Sequence, residues 1–203
     1  MKDFWNERYS HSEFAYGEEP NEYLKEKLTG LQPGTILFPA EGEGRNAVYA
    51  AILGWNVSAF DQSEEGRKKA ELLSKRHNVE INYIISDVEH FELKPVSADA
   101  LALIYAHFPG KKRREYHQKL AYFLKPGGTL IIEGFSKKHS IFQKENSDAG
   151  GPGDPEMLYS LEELKNDFPD FDFTEAYETE TELNEGIFHT GKSSIIRITG
   201  IKG

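Results

Sequence analysis

The 203-residue chain contains no cysteine. That absence excludes disulfides, thiolate zinc sites and a cysteine nucleophile together. The remaining candidate metal ligands are His, Asp and Glu. The seven histidines, at 11, 77, 90, 107, 117, 139 and 189, are scattered, and no pair has helical metal-ligand spacing, so no metal site is expected. Long apolar runs are also missing. The longest, Ala100 to Ala106, is far short of the ~20 residues that span a bilayer. The first residues, Met1-Lys2-Asp3-Phe4-Trp5-Asn6-Glu7-Arg8, carry acids and lack the apolar segment of a signal peptide. The reading is a cytoplasmic protein with no membrane partner. Positive charge is in short supply: 24 Lys and Arg stand against 34 Asp and Glu, a net charge of -10. Such a surface repels nucleic-acid phosphate, so no nucleic acid is expected as partner. One basic run, Lys111-Lys112-Arg113-Arg114, reads as a solvated helix face or as a docking site for an anionic substrate.

The length suits a single domain at roughly 150 residues per domain, with enough chain to bury a core unaided. Residues 3–29 read as one or two amphipathic helices broken at Tyr16-Gly17, and are rich in aromatics: Trp5, Tyr9, Phe14 and Tyr16. Ile36-Leu37-Phe38 reads as a first buried strand. A helix follows with Ala47, Ala50, Ala51 and Leu53 on one face, stopped by Gly54. Trp55 to Phe60 is a second strand ending at Asp61, after which Ser63 caps a helix. Ile81 to Ile85 and Ala100 to Tyr105 are third and fourth strands. A helix from Lys111 to Leu124 leads through Lys125-Pro126-Gly127-Gly128 into a fifth strand, Thr129 to Glu133. This alternation predicts an α/β fold, a doubly wound and mostly parallel sheet. Residues 136–157 are polar and glycine-rich and read as a long connection without structure of its own. Ser160-Leu161-Glu162-Glu163 is a capping box. Asp172 to Leu183 and Ile187 to Ile201, joined by Asn184-Glu185-Gly186, read as a hairpin, so an antiparallel pair closes the sheet.

The chemistry centres on Ala40-Glu41-Gly42-Glu43-Gly44-Arg45-Asn46-Ala47. It follows the first strand and opens the first helix. Its glycines permit a tight turn and close approach of a ligand, and it fits a dinucleotide fingerprint as well. Asp61 lies 19 residues after Gly42, where an acid accepts from ribose hydroxyls. Charge separates the readings. A pyrophosphate wants bare backbone N–H groups, and Glu41 and Glu43 would repel it if both face it. S-adenosylmethionine brings a sulfonium and an ammonium, which carboxylates suit; the alternative is that both acids face solvent. Asp87, at the end of strand three, is placed to accept from an adenine amino group, or else is a turn aspartate.

Taken together, the glycine loop, Asp61, Asp87 and the Leu124-Lys125-Pro126-Gly127-Gly128 turn resemble the class I S-adenosylmethionine-dependent methyltransferases over about residues 30–135. The Gly-Glu-Gly-Arg-Asn-Ala stretch and the N-terminal Trp5…Arg8-Tyr9…Tyr16-Gly17…Pro20-Asn21 pattern resemble the small tellurite-resistance and thiopurine-methyltransferase-like bacterial proteins. Glu185-Gly186…His189…Gly191-Lys192 is similar to a subset of them. The chain departs from the class at Phe38-Pro39, where an acid is frequent, and at Asn46, where a third glycine stands.

The resemblance implies a Rossmann-like, seven-stranded methyltransferase fold with residues 1–30 as a helical lid, 31–135 as the cofactor-binding core and 136–203 as substrate loop and hairpin. It implies S-adenosylmethionine as donor, S-adenosylhomocysteine as product, in-line transfer to a small-molecule acceptor, and a monomer or homodimer. The expected cofactor contacts are Tyr16, Glu41, Gly42, Gly44, Arg45, Asp61, Gln62, Asp87 and Val88. His107, just past strand four, is the first candidate base and His189, near the hairpin turn, the second; a packing histidine is the alternative at each. Tyr16 and Trp5 form an aromatic lid or a plain anchor. Arg45 meets an anionic ligand group or pairs with Glu41 or Glu43. Two other functions fit the same glycine loop: an NAD-type oxidoreductase, and a non-catalytic protein that binds S-adenosylmethionine as a ligand.

Overall fold

A computed structural model describes residues 2–203; Met1, first in the expected N-terminal segment, lies outside the described residues. Seven strands form one sheet: β1 (Thr35–Pro39), β2 (Asn56–Asp61), β3 (Asn82–Ile85), β4 (Ala98–Ile104), β5 (Leu124–Phe135), β6 (Phe171–Glu185) and β7 (His189–Lys202). Their spatial order is β3-β2-β1-β4-β5-β7-β6. The first five run parallel, with Ile36 beside both Val57 and Ala100. β7 is antiparallel to β5 and to β6. The mostly parallel seven-stranded sheet and its closing hairpin are therefore as the alternation of elements predicts.

Side chains alternate across the sheet, as the two-residue period of a strand requires. Leu37, Leu101, Leu103, Leu130 and Ile132 enter one core. It is closed by α5 (Gly110–Phe123) and α7 (Leu161–Asp167) through Leu120, Phe123 and Leu164. Ile36, Phe38, Ala59, Ala100, Ala102 and Ile131 enter the other. There α2 (Glu22–Thr29) contributes Leu24 and Leu28, and α3 (Arg45–Ile52) contributes Ala47 and Ala50. Helices thus cover both faces, and each strand is buried on both sides.

Local signals read from the sequence act as expected where the backbone needs them. The Ser63 side chain accepts from the Gly66 N–H at the start of α4 (Glu64–His77). Ser160 and Glu163 form the reciprocal capping box of α7. The basic run divides: Arg113 donates to Asp167 at 2.7 Å and Lys112 pairs with Glu115, so it is neither an all-solvated face nor a free cationic patch.

Two expectations need correction. The N-terminal break spans residues 10–21, between α1 (Lys2–Tyr9) and α2, because that stretch is tied to the glycine loop rather than coiled on itself. The connection 136–157 is structured. It holds α6 (His139–Glu145) and single 3-10 turns at Ser147–Ala149 and Pro155–Met157. Side chains rather than an apolar pattern fix it: His139 stacks on Phe135 with centroids 4.1 Å apart, and Gln143 Nε2 donates to the Gly150 and Pro152 carbonyls. Among the described residues no helix is long and apolar enough to cross a membrane.

Candidate functional site

The strand order reverses between β1 and β4, and in open α/β sheets ligands bind outside the carboxyl ends of the strands at such a point. A cavity of about 350 Å³ lies there. Nine of the eleven expected site residues line it: Tyr16, Glu41, Arg45, Asp61, Gln62, Asp87, Val88, His107 and His189. The convergence follows from topology. Loops leaving parallel strands at the same edge must meet, however far apart they lie in sequence.

Gly42 and Gly44 do not line the cavity. Both have left-handed backbone, φ 62° and 86°, which favours glycine. What approaches them is protein, not ligand. A Cβ on Gly42 would lie 2.6 Å from the Tyr9 hydroxyl, and one on Gly44 2.5 Å from Ala70 Cβ. Their role as direct cofactor contacts is thus corrected to a packing role: they let α1 and α4 close on the loop. Two non-glycine residues in the cavity wall share the left-handed backbone, Ala40 (φ 51°) after β1 and Tyr105 (φ 52°) after β4. Such strain persists where surrounding structure fixes it.

The acids divide into two kinds. Glu43 is buried and spoken for: it pairs with Lys69 at 2.7 Å and accepts from the Tyr16 N–H. It straps the N-terminal segment to α4 and is not free to meet a ligand cation. Glu41 accepts the Ala47 N–H at 2.7 Å, at the start of α3, and has no cation within ion-pair distance among the described residues. Burial pushes its carboxyl up to about 7, against the pull of the Ala47 N–H and the Arg45 charge. Asp61 accepts from the N–H groups of Gly42 at 3.1 Å and Ser63 at 2.8 Å. Burial raises its pKa as well, although those N–H bonds lower it. The Asp87 Oδ1 accepts from the His90 N–H and pairs with its ring, which is the turn role. Burial opposes its charge, but the His90 contacts hold the carboxyl below its ordinary value.

Arg45 pairs with neither Glu41 nor Glu43. It donates to Glu185 at 2.8 Å and to the Glu19 carbonyl at 3.3 Å. Glu185 also accepts from Asn21 Nδ2 at 3.0 Å, and Asn21 Nδ2 donates to the fully buried Glu133 at 2.6 Å. Glu133 further accepts from the Tyr105 hydroxyl and from Arg197. Glycine loop, N-terminal segment and hairpin are thereby tied by buried, charge-assisted bonds. Above them α1 docks through Asn6, whose Oδ1 accepts from Ser63 Oγ at 2.8 Å. Phe4, Trp5 and Arg8 of α1 line the cavity mouth. Tyr16 accepts from Arg8 at 2.9 Å.

His107 lines the cavity but is corrected as a base. One ring nitrogen is bonded to the Met157 carbonyl at 2.8 Å, and the other accepts from the Phe135 N–H at 3.1 Å. The first must donate and the second must accept, so the tautomer is fixed and no lone pair is free. Burial drives its pKa down to about 3, although the Met157 carbonyl raises it. His107 is a strut between β5 and the 151–157 turn. Replacing it with Phe leaves a buried carbonyl and N–H without partners, an expected loss of about 2–4 kcal/mol in urea denaturation. His107→Gln, which can both donate and accept, recovers most of it. The unfolded histidine titrates near 6.5, so between pH 6.5 and 3 the unfolded state binds the extra proton. Stability from this site is therefore full above pH 6.5 and falls on acidification, by about 2 kcal/mol at pH 5, and the Phe variant lacks that slope.

At His189, Nδ1 meets Glu185 Oε2 at 3.3 Å. Its ring packs against Tyr16 and Tyr105, each at 4.4 Å, and Phe135 at 5.0 Å. Nε2 has no protein partner among the described residues, and the residue lines the cavity. Glu185 was not singled out from the sequence as a site residue. The signal for it is a Glu and a His placed as the closing pair of the hairpin.

A family model described as a methyltransferase domain matches residues 36–128. The ubiquinone biosynthesis O-methyltransferase of Rickettsia akari (strain Hartford) is 28% identical over 126 residues, covering 60% of this chain and 50% of that protein. The chain thus spans about half the length of the curated relative it matches. A chain solved in work on the conversion of a disulfide bond into a thioacetal group during echinomycin biosynthesis aligns with a TM-score of 0.79 at 17% identity, covering all of this chain and 92% of that one. TehB from Haemophilus influenzae aligns with a TM-score of 0.71 at 17% identity, covering all of this chain and 67% of that one. At these identities the likeness to the solved structures is one of fold.

Proposed function

We propose, from a chain that belongs by its methyltransferase domain and fold to the class I S-adenosylmethionine-dependent methyltransferases, that it is an enzyme that methylates a small molecule. The observation that carries the reading is the pair of carboxylates, Glu41 and Asp61, on one wall of the switch-point cavity with no cation against either among the described residues. A buried, unanswered carboxylate is costly, and a ligand ammonium at Glu41 removes that cost. A pyrophosphate there would add to it. The volume of about 350 Å³ falls within the ordinary range of small-ligand pockets, about 300–1,000 Å³.

When bound, S-adenosylmethionine supplies an electrophilic methyl group on a sulfonium. The chain's own part is binding, alignment and exclusion of water. Glu41 meets the ammonium, Asp61 and Gln62 the ribose hydroxyls, and Asp87 with Val88 the adenine. Gly42 and Gly44 set the loop, while Tyr16 and Arg45 fix the cover over it. Alignment of two held reactants supplies several kcal/mol without an acid or base. The roofed cavity favours a small acceptor, since α1 and residues 10–21 leave a mouth rather than an open groove. Isothermal titration with S-adenosylhomocysteine, NADH and AMP tests the reading. S-adenosylhomocysteine is expected to bind and NADH not to; tight NADH binding without S-adenosylhomocysteine binding overturns it. Binding without turnover on any acceptor would favour a ligand-sensing role.

A further inference from the structure

Building on that reading, we infer that the acceptor is an aromatic alcohol or aromatic thiol whose proton passes to His189 Nε2, with Glu185 as the residue that positions the imidazole. The acceptor side of the cavity is formed by Tyr16, Tyr105, Phe108, Phe135, Met157 and His189, an apolar wall suited to an aromatic ring. Polar atoms on that wall are already engaged. Tyr105 donates to Glu133, and both nitrogens of His107 are bonded to the main chain. His189 differs. Glu185 Oε2 takes the Nδ1 side at 3.3 Å, so Nδ1 carries the hydrogen and Nε2 presents a lone pair to the cavity. A carboxylate orienting a histidine whose second nitrogen faces substrate is the arrangement of a general base.

Glu185 is fixed for this work. Burial raises its carboxyl, yet the His189 ring and the Arg45 guanidinium outweigh burial and hold it at about 2. It stays an anion, able to answer an imidazolium. The ring is held on three sides by Tyr16, Tyr105 and Phe135. Its titratable surroundings are Glu185, Arg45, Tyr16, Tyr105, His107 and His139. Burial lowers the His189 pKa, although Glu185 raises it, so the ring is neutral at pH 7 and a weak base. A weak base assists loss of a proton only from an acidic group. That selects a phenol-type hydroxyl or a thiol over an aliphatic alcohol. In the step, a lone pair on the acceptor oxygen or sulfur forms the bond to the methyl carbon. The carbon–sulfonium bond breaks and its electron pair returns to sulfur. The acceptor proton moves to Nε2, and the imidazolium opposite Glu185 then releases it to water.

The test uses the full chain saturated with S-adenosylhomocysteine, with ring nitrogens observed by ¹⁵N NMR. Adding 4-nitrophenol or thiophenol is expected to shift the His189 Nε2 resonance, and benzyl alcohol is not. Response to only one of the first two assigns oxygen or sulfur. No response to either, or an equal response to benzyl alcohol, overturns the inference. Glu185→Gln is expected to mix the His189 tautomers and to lower kcat on the responding probe by about 10²–10⁴-fold with KM little changed; Glu185→Asp restores part of both. An unaltered tautomer in the Gln variant overturns the positioning role. Titration with S-adenosylhomocysteine separates the two levels: if the wild type does not bind it, the methyltransferase reading fails; if it binds and His189 is silent, only the acceptor inference fails.

Discussion

Replacing Gly44 with alanine is expected to cost about 2–6 kcal/mol of folding free energy, the sum of a backbone and a packing penalty. Gly44 has φ 86° and immediately precedes α3. An L side chain there is strained at any size. The added methyl would also sit 2.5 Å from Ala70 Cβ and 2.8 Å from Ala70 Cα, in the middle of α4. Those atoms are not the far end of a flexible chain, so two helices must separate. The two penalties can be told apart. Ala70→Gly removes the methyl that collides but leaves φ unchanged. In a double-mutant cycle by urea denaturation, the pair should show a favourable coupling of about 1–3 kcal/mol. Absence of coupling would mean that α4 is not what Gly44 accommodates. Displacement of the loop should also weaken S-adenosylhomocysteine binding, because Glu41 and Arg45 flank the glycine.

This contrast between Gly44 and its neighbours shows what a sequence displays and what it hides. The strands were legible because each is an apolar run or alternation bounded by turn residues. The hairpin was legible because no helix separates its strands. Asp61, Asp87 and His107 could be placed at one edge because strand ends of a parallel sheet converge. The partners of these groups were not legible. Glu43 is met by Lys69 on α4, and Arg45 by Glu185 on β6. Nothing in the local pattern connects such pairs; only the closed fold does. His107 is the sharpest case. Its position suits a base, yet the Met157 carbonyl and Phe135 N–H consume both nitrogens. Residues 136–157 misled for a related reason. Their order comes from side chains such as Gln143 bonding to nearby carbonyls, which leaves no periodic trace.

Glu41→Gln is expected to weaken S-adenosylhomocysteine binding by about 10–100-fold at pH 8, while making the unliganded protein more stable. The two effects have opposite signs for one reason. In the free protein burial holds the Glu41 carboxyl at about 7, well above an unfolded glutamate. The folded state therefore binds the extra proton between the unfolded value and 7. Stability from this site is present at low pH and is lost as pH rises through 7. The neutral amide avoids that loss, a gain of roughly 1–3 kcal/mol at pH 8, and can still accept from the Ala47 N–H. A ligand ammonium needs the anion, and a hydrogen bond to a charged group contributes about 1.5–3 kcal/mol. Binding to the wild type below pH 7 must then expel a proton. Its dissociation constant should rise about tenfold from pH 8 to pH 6, with close to one proton released at pH 6. Titrations in two buffers of different ionisation enthalpy measure that release. The Gln variant should show a flatter profile and one proton fewer. A carboxylate that only capped α3 would behave otherwise: its amide variant would match the wild type in affinity and in proton release at every pH.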